Sequence, residues 1–404
     1  MKLFIRSALV LLLVSVMLFS IVGCGVDNGG AKNFEFAEFN ADNLFTNGVT
    51  AFRSNSKDKM GFIDKNGNYI IEPKFDNAHN FAANGLARVE VNNRWGYINT
   101  SGEYVIEPKF ADAYDFDENG MAHVFYNGRH GFINTKGDWI IENKYVTIEK
   151  FADNGLAKMC VKVGDDSYLY GYIDRNGNEV VPAKYSECND FSNGLAAVRI
   201  ENNWGFVDSK GDMVIEAKYA LVTDFADNGL AFARLSDGSM AGYIDKTGAY
   251  KITLDKQNTY IGRPFNKFGI AIVIVSGRPK LITETGALVT EDFFIEIQDF
   301  DDNGLAIATK THGVSGYINT NADFVIKGDY SGYMNFVNGY ARVKNDGKWG
   351  FINTKGELVV ECKYYKVADF GADGYAIVMV KDDDTNSYKY AIIDTTGAPV
   401  VDFK

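Results

Sequence analysis

The chain has 404 residues, a formal charge of −12 and 14% aromatic residues, with 41 glycines and only 6 prolines. The excess of acidic residues argues against a nucleic-acid partner, because phosphate binding needs a basic surface. Many glycines and aromatic residues are typical of short strands joined by tight turns. Composition therefore disfavours helical and coiled-coil architectures.

The first residues have the pattern of an export signal. Lys2 and Arg6 form a basic start, residues 7–26 carry no charge, and Ile21-Val22-Gly23-Cys24 lies near the end of this segment. This last phrase resembles the lipobox of bacterial lipoproteins, with Ile21 where that pattern usually has leucine. The resemblance implies that residues 1–23 are a signal peptide and that Cys24 becomes the lipid-bearing N-terminus.

The same resemblance predicts where in the cell the protein is located. Residues 24–40 are expected to be the lipidated cysteine and a polar tether, and the folded part is expected to lie outside the cytoplasm, anchored in a bacterial cell envelope. An uncleaved transmembrane anchor and ordinary secretion are alternatives, and both also place the folded part outside the cytoplasm.

Residues 41–404 repeat one unit ten times. The glycine that usually lies in an Asn-Gly-Leu-Ala phrase recurs at intervals of 35 to 40 residues. Its ten positions are Gly48, Gly85, Gly120, Gly155, Gly194, Gly229, Gly269, Gly304, Gly339 and Gly374. A repeat of this length cannot bury its apolar faces alone, so neighbouring units are expected to stack.

The residue pattern within each unit predicts three short strands. In the second unit they are residues 86–91, 95–99 and 103–107, joined by a hairpin and by a turn that ends in glycine. Residues 111–116 are expected to be a short fourth strand or an irregular link. One aromatic residue per unit, such as Phe116, is expected to be a core wedge between neighbouring units.

The pattern resembles the WG-repeat family, also called KWG repeats. Three aromatic-glycine pairs carry the resemblance: Trp95-Gly96, Trp204-Gly205 and Trp349-Gly350. We assign these six residues a structural role, because glycine after an aromatic residue allows another backbone or ring to come close. The seventh and tenth units have Lys280 and Ala391 instead of this glycine.

The expected fold class is all-β. It consists of tandem antiparallel β repeats of about 35 residues, arranged as propeller-like blades. Ten units exceed the usual four to eight blades of one ring, so the candidates are a propeller-like ring, an open superhelical array and two smaller rings.

No catalytic constellation is found, and neither a cofactor nor a metal site is predicted. The four histidines, at positions 79, 123, 130 and 312, fall at different phases of the repeat without metal-ligand spacing. Acidic turns such as Asp64 to Asn68 lack the ligand pattern of calcium loops. Ordinary turn chemistry is the preferred interpretation, with calcium as the alternative.

Three segments break the repeat: residues 163–169, 251–264 and 382–386. Loops carry function more often than the elements that they connect. The candidate binding residues lie in or beside the second segment, and they are Tyr260, Arg263, Arg278 and Lys280.

The leading hypothesis is a lipid-anchored binding or scaffold module for a protein, a cell-wall polymer or a glycan. The first alternative is a glycan-active hydrolase or lyase, with Asp165, Asp166 or Glu291 as unconstrained candidate carboxylates. The second alternative is a passive structural spacer. Binding is preferred over catalysis, because the sequence combines an export signal with tandem β units and shows no catalytic set. The fold alone does not assign a function.

Overall fold

The computed structural model describes residues 44–165, 167–255, 259–311, 313–328 and 330–403. The predicted signal peptide, Cys24 and the predicted tether lie outside these ranges, as do Asp166 and His312. The described residues form only antiparallel strands and turns. They contain no helix long and apolar enough to cross a membrane.

The first five units contain strands β1 to β19, and most units have two or three longer strands preceded by a very short one. The bounds are β1 Val49–Phe52, β2 Met60–Asp64, β3 Tyr69–Phe75, β4 Asn77–Ala78, β5 Ala87–Val91, β6 Arg94–Ile98, β7 Tyr104–Phe110, β8 Asp112–Ala113, β9 Met121–Tyr126, β10 Arg129–Asn134, β11 Trp139–Tyr145, β12 Thr147–Ile148, β13 Ala157–Lys162, β14 Tyr168–Ile173, β15 Glu179–Tyr185, β16 Glu187–Cys188, β17 Ala196–Ile200, β18 Asn203–Val207 and β19 Met213–Val222.

The last five units contain strands β20 to β37. Their bounds are β20 Ala231–Leu235, β21 Ala241–Ile244, β22 Tyr250–Leu254, β23 Thr259–Gly262, β24 Ile270–Val275, β25 Arg278–Thr283, β26 Phe294–Ile297, β27 Ala306–Lys310, β28 Ser315–Ile318, β29 Phe324–Lys327, β30 Gly332–Val337, β31 Tyr340–Asn345, β32 Lys348–Asn353, β33 Leu358–Tyr364, β34 Lys366–Val367, β35 Tyr375–Asp382, β36 Ser387–Asp394 and β37 Pro399–Val401.

The expected all-β fold class is confirmed. The described strands form nine antiparallel sheets, and one of them joins the fifth and sixth units through the long strand β19. The predicted fourth strand exists, but it pairs with the following unit. Asp112 and Ala113 in β8 pair with Phe125 and Val124 in β9. Each short strand therefore links one unit to the next.

Aromatic rings form the core between units, as the sequence predicted. The ring of Phe116 in the third unit lies 4.7 Å from the ring of Tyr97 in the second, measured between centroids. The same pair recurs as Phe81 with Phe62, at 4.8 Å, and as Phe370 with Phe351, at 4.4 Å. Burying two aromatic rings at each of these junctions contributes to the hydrophobic stabilisation.

Buried tyrosines add a hydrogen bond to some of these junctions. The Tyr97 hydroxyl donates to the Tyr114 carbonyl at 2.7 Å, across the junction between the second and third units. Tyr172, Tyr243 and Tyr317 donate equivalent bonds to the carbonyls of Asn189, Arg263 and Met334. Units with phenylalanine at this position keep the ring packing without the bond.

The contacts between units close into a circle. The turn glycine of each unit generally packs on a β-branched residue in the third strand of the preceding unit, as Gly102 does on Ile71 and Gly137 on Ile106. Gly67 of the first unit makes the same contact with Val401 of the tenth. Among the three arrangements that the sequence allowed, this contact favours a single closed ring.

A clasp between the first and tenth units reinforces the closure. We use this name for residues 54–57 together with residues 385–390. The Ser56 amide donates to the Tyr388 carbonyl at 2.9 Å, and the Tyr390 amide donates to the Ser54 carbonyl at 3.0 Å. The lengthened hairpin at 382–386, which breaks the repeat, leads directly into this clasp.

Candidate functional site

The aromatic-glycine pair marks a close approach of two backbones. Between β6 and β7, the register shifts where Trp95 pairs with Phe110 and Tyr97 pairs with Ile106. A Cβ atom on Gly96 would lie 2.5 Å from the Ile106 carbonyl oxygen, which is far inside van der Waals contact. The glycine is therefore required by the bulge in the neighbouring strand, as the sequence predicted.

The tryptophans of these pairs are partly or fully covered. Trp95 is only 7% exposed, and the Arg88 guanidinium carbon lies 5.3 Å from the centroid of its ring. Trp204 and Trp349 are half-buried under Arg199 and Lys344, at 6.0 Å and 5.5 Å. These contacts agree with the structural role that the sequence assigned to Trp95-Gly96, Trp204-Gly205 and Trp349-Gly350.

In the seventh unit, Lys280 occupies the position of this glycine. Its side chain is buried, and its ammonium donates to the carbonyls of Glu291 at 2.8 Å and Asp292 at 3.0 Å. Two backbones that elsewhere nearly touch are here bridged by a side chain. Beyond an isolated bridge between Ile282 and Leu288, β25 has no third-strand partner among the described residues.

The other candidate binding residues surround the same unit. The Arg278 guanidinium lies 5.5 Å from the Phe293 ring, and the Lys280 ammonium lies 4.2 Å from it, so the structure brings these two residues together. Arg263 is half-buried and points to the next unit, where it forms an ion pair of 2.7 Å with Asp299. Tyr260 lies in β23.

The acidic turns use their carboxylates for backbone hydrogen bonds. Asp64 accepts from the amides of Asn66 and Asn68, at 2.8 Å and 2.9 Å, and Asp174 repeats this pattern with Asn176 and Asn178. These bonds lower the pKa of Asp64. These are the hydrogen bonds that ordinary turn chemistry, the preferred interpretation, predicts.

Two histidines that the sequence analysis treated separately lie together. Nδ1 of His130 and Nε2 of His123 are 2.9 Å apart across the β9–β10 hairpin. Burial, together with the neighbouring ring of His130, lowers the pKa of His123 to about 3, and burial also lowers that of His130. Hairpin register could have revealed the pair, because His130 pairs with Phe125, two residues from His123. The described residues contain no cluster of three potential metal ligands.

A polar cavity of about 430 Å³ lies between the turns of the fourth, fifth and sixth units. Its lining consists of Asp153, Asn154, Phe191, Ser192, Asn193, Gly194 and Asp227. The sequence analysis did not select these residues, because they lie in the regular part of the repeat. The candidate carboxylates Asp165 and Glu291 are exposed and lie outside this lining.

The chain was compared with known families, curated proteins and solved structures. A model described as "WG containing repeat" matches residues 60–95, 95–129, 131–162, 170–204, 204–238, 316–349 and 349–383. These matches span more than half of the chain. The chain belongs to the WG-repeat family.

The WG-repeat match includes several of the glycines that make the close backbone contact. The matched residues include Gly96, Gly205 and Gly350, each of which faces a bulged third strand. The gap between residues 238 and 316 contains Lys280 and its altered strand pairing. No curated protein matches the chain.

Solved structures resemble this WG-repeat protein in fold alone. A eukaryotic initiation factor is 12% identical, with a TM-score of 0.51, over 76% of this chain and 92% of its own. Hsv2 from Kluyveromyces lactis is 10% identical, with a TM-score of 0.33, over 70% and 97%. The WD40 β-propeller domain of Doa1 is 13% identical, with a TM-score of 0.28, over 70% and 93%.

Proposed function

We propose that this WG-repeat protein is a lipid-anchored, extracytoplasmic binding or scaffold module of a bacterial cell envelope, without catalytic activity of its own. Its partner would be a protein, a cell-wall polymer or a glycan. The observation that carries the proposal is the closed circle of inter-unit contacts, completed by Gly67 on Val401. A closed circle holds ten sets of turns in fixed positions, and such an array suits binding across an extended surface.

The strand order gives this surface two faces. In the second unit, the turns at residues 82–85 and 99–102 lie at the end of the sheet where Ala87 pairs with Ile98. The hairpin at residues 92–93 lies at the opposite end, where Val91 pairs with Arg94. We call these the turn face and the hairpin face. The cavity described above lies on the turn face, and the described residues of the lengthened hairpin, 163–165 and 167–169, lie on the hairpin face.

The lipid anchor is supported by the basic start, the uncharged stretch and Ile21-Val22-Gly23-Cys24. The test is metabolic labelling of the full chain with a radioactive fatty acid in a bacterial host. We expect label in the membrane fraction and none in a Cys24→Ala variant, with Cys188→Ala as the matched control. Equal labelling of the Cys24 variant would overturn the anchor.

Binding is tested with the full chain purified in detergent. It is incubated with isolated cell-wall polymer, with envelope proteins and with soluble glycans, and saturation is measured for each. Saturable binding to one class is the expected result. The same measurements on heat-unfolded protein are the control, and failure to saturate with any class would overturn the module in favour of a spacer.

A further inference from the structure

We propose that the cavity between the turns of units four, five and six binds a saccharide unit that carries free hydroxyl groups and no negative charge. This inference rests on the proposed binding function and narrows its partner to a glycan. The cavity holds about 430 Å³, which is room for one or two sugar rings. It lies on the turn face.

The cavity exists because one turn is shorter than its neighbours. In the fifth unit, the glycine of the Asn-Gly-Leu-Ala phrase, Gly194, lies three positions after Phe191. The flanking units have four positions, from Phe151 to Gly155 and from Phe225 to Gly229. The missing residue leaves a recess between two longer turns, with Phe191 and Ser192 among the residues that line it.

The lining offers both donors and acceptors at fixed positions. The Asn154 carboxamide oxygen accepts from the Leu156 amide at 3.1 Å, which leaves its NH₂ group to donate. The Asn193 NH₂ group donates to the Phe225 carbonyl at 2.9 Å and to the Asp227 carboxylate at 3.3 Å, which leaves its carboxamide oxygen to accept. The Ser192 hydroxyl donates to the same carbonyl at 2.8 Å and can still accept. Side chains held in this way lose little conformational entropy on binding.

Two carboxylates complete the site, one from each flanking turn. Asp153 belongs to the fourth unit and Asp227 to the sixth, and both are exposed. A carboxylate oxygen accepts hydrogen bonds from sugar hydroxyls more strongly than a neutral acceptor does. The two negative charges, on a chain of net charge −12, disfavour an acidic sugar. The half-buried ring of Phe191 adds an apolar surface suited to the CH groups of a sugar.

Beside the other short turns, the carboxylates have stronger contacts than the single bond of 3.3 Å that Asp227 accepts from Asn193. The first unit has a short turn beside Asp373, but that carboxylate accepts from the amides of Leu44 at 3.0 Å and Phe45 at 2.9 Å. The ninth unit has a short turn beside the eighth, where Asp302 forms an ion pair of 2.6 Å with Lys267. The recess at unit five is therefore where the geometry points to a ligand.

The experiment titrates the full chain, in detergent, with three tetrasaccharides by isothermal titration calorimetry. The probes are a chitosan tetramer with free amines, a neutral chitin tetramer and an acidic oligogalacturonate. We expect the first two to bind and the acidic probe to bind at least about tenfold more weakly. An Asp153→Asn, Asp227→Asn double variant should lose about tenfold in affinity for the best probe.

The matched control is Glu118→Gln, which removes a charge from a full-length turn of the third unit. It should leave the affinity and the melting temperature unchanged. Equal binding of the acidic probe, unchanged affinity in the double variant, or no binding of any probe would overturn the saccharide site. If no saccharide probe binds but the wild-type chain still binds cell-wall polymer or an envelope protein, the site is wrong and the binding module stands.

Discussion

The second and seventh units use one position in opposite ways. In the second, Gly96 allows the Ile106 carbonyl to come close, and the third strand β7 continues to Phe110. In the seventh, Lys280 stands in place of this glycine, and its ammonium donates to two carbonyls. The comparison teaches that Gly96 is required where two backbones approach closely, and that the seventh unit, which lacks this glycine, satisfies two backbone carbonyls with a lysine ammonium instead.

The largest effect is expected from adding a side chain at Gly96, where two backbones lie close together. Gly96→Val places side-chain atoms against the Ile106 carbonyl, so we expect a loss of about 2–4 kcal/mol in the free energy of unfolding. The measurement is urea denaturation followed by tryptophan fluorescence. Gly164→Val is the control, because a Cβ atom there would lie 3.7 Å from the Ser167 Cβ atom, at an ordinary van der Waals distance. Equal losses in the two variants would break the comparison.

The third unit lies between the two extremes, because it keeps Gly131 but has His130 where the second unit has tryptophan. Since the folded protein holds the pKa of His123 at about 3, below its ordinary value of 6.5, the unfolded chain binds the proton more readily. Stability is therefore complete above pH 6.5 and declines as the pH falls towards 3, by up to about 1.4 kcal/mol per pH unit.

Urea denaturation between pH 7.5 and pH 5 tests this dependence. The double variant His123→Phe, His130→Trp introduces residues that other units have at these positions, and it should flatten the profile. His79→Asn, which removes a histidine outside the pair, should not flatten it. Parallel profiles for the wild-type protein and the double variant would contradict the role of the pair.

A smaller effect is expected at the lysine bridge. Lys280→Met keeps an apolar stem but leaves the carbonyls of Glu291 and Asp292 without their donor, so we expect a loss of about 1–3 kcal/mol. Thermal unfolding measures it. Lys246→Met, on an exposed turn, should change stability by less than about 0.5 kcal/mol. A neutral result for Lys280→Met would mean that the bridge is dispensable.

The smallest effect concerns the hydrogen bonds between units. Tyr97→Phe removes the bond to the Tyr114 carbonyl while keeping the ring, and we expect a cost of about 1 kcal/mol. Tyr126→Phe is the matched control, because its half-buried ring lies outside these junction bonds. If Tyr97→Phe costs no more than the control, ring packing alone joins the units.

The sequence was sufficient to predict the unit and its packing. Spacing identified the strands, the turns and the wedge role of Phe116, because each depends on neighbours within one or two repeats. Closure was not predictable, since it depends on the accumulated geometry of ten junctions. The cavity was missed for a related reason: a turn shortened by one residue forms a recess only when the turns on both sides are placed beside it.

The His123–His130 pair and the Lys280 bridge show a second limit. Both depend on where a side chain ends, and the repeat pattern specifies only the backbone position. The substitution of glycine by lysine was visible in the sequence and suggested a binding role for Lys280. The structure places its ammonium on internal carbonyls, which leaves Arg278 as the more accessible neighbour of Phe293.

The clasp has a consequence for how the chain reaches its final state. Asn55 and Ser387 form a side-chain hydrogen bond across a sequence separation of 332 residues. A chain that emerges from its N-terminus during synthesis or export cannot form this bond until the last unit has appeared. Until then, one side of the first unit stays exposed to solvent, so closure of the circle is expected to be the last step of folding. The loop-closure entropy that this step costs grows only slowly with chain length.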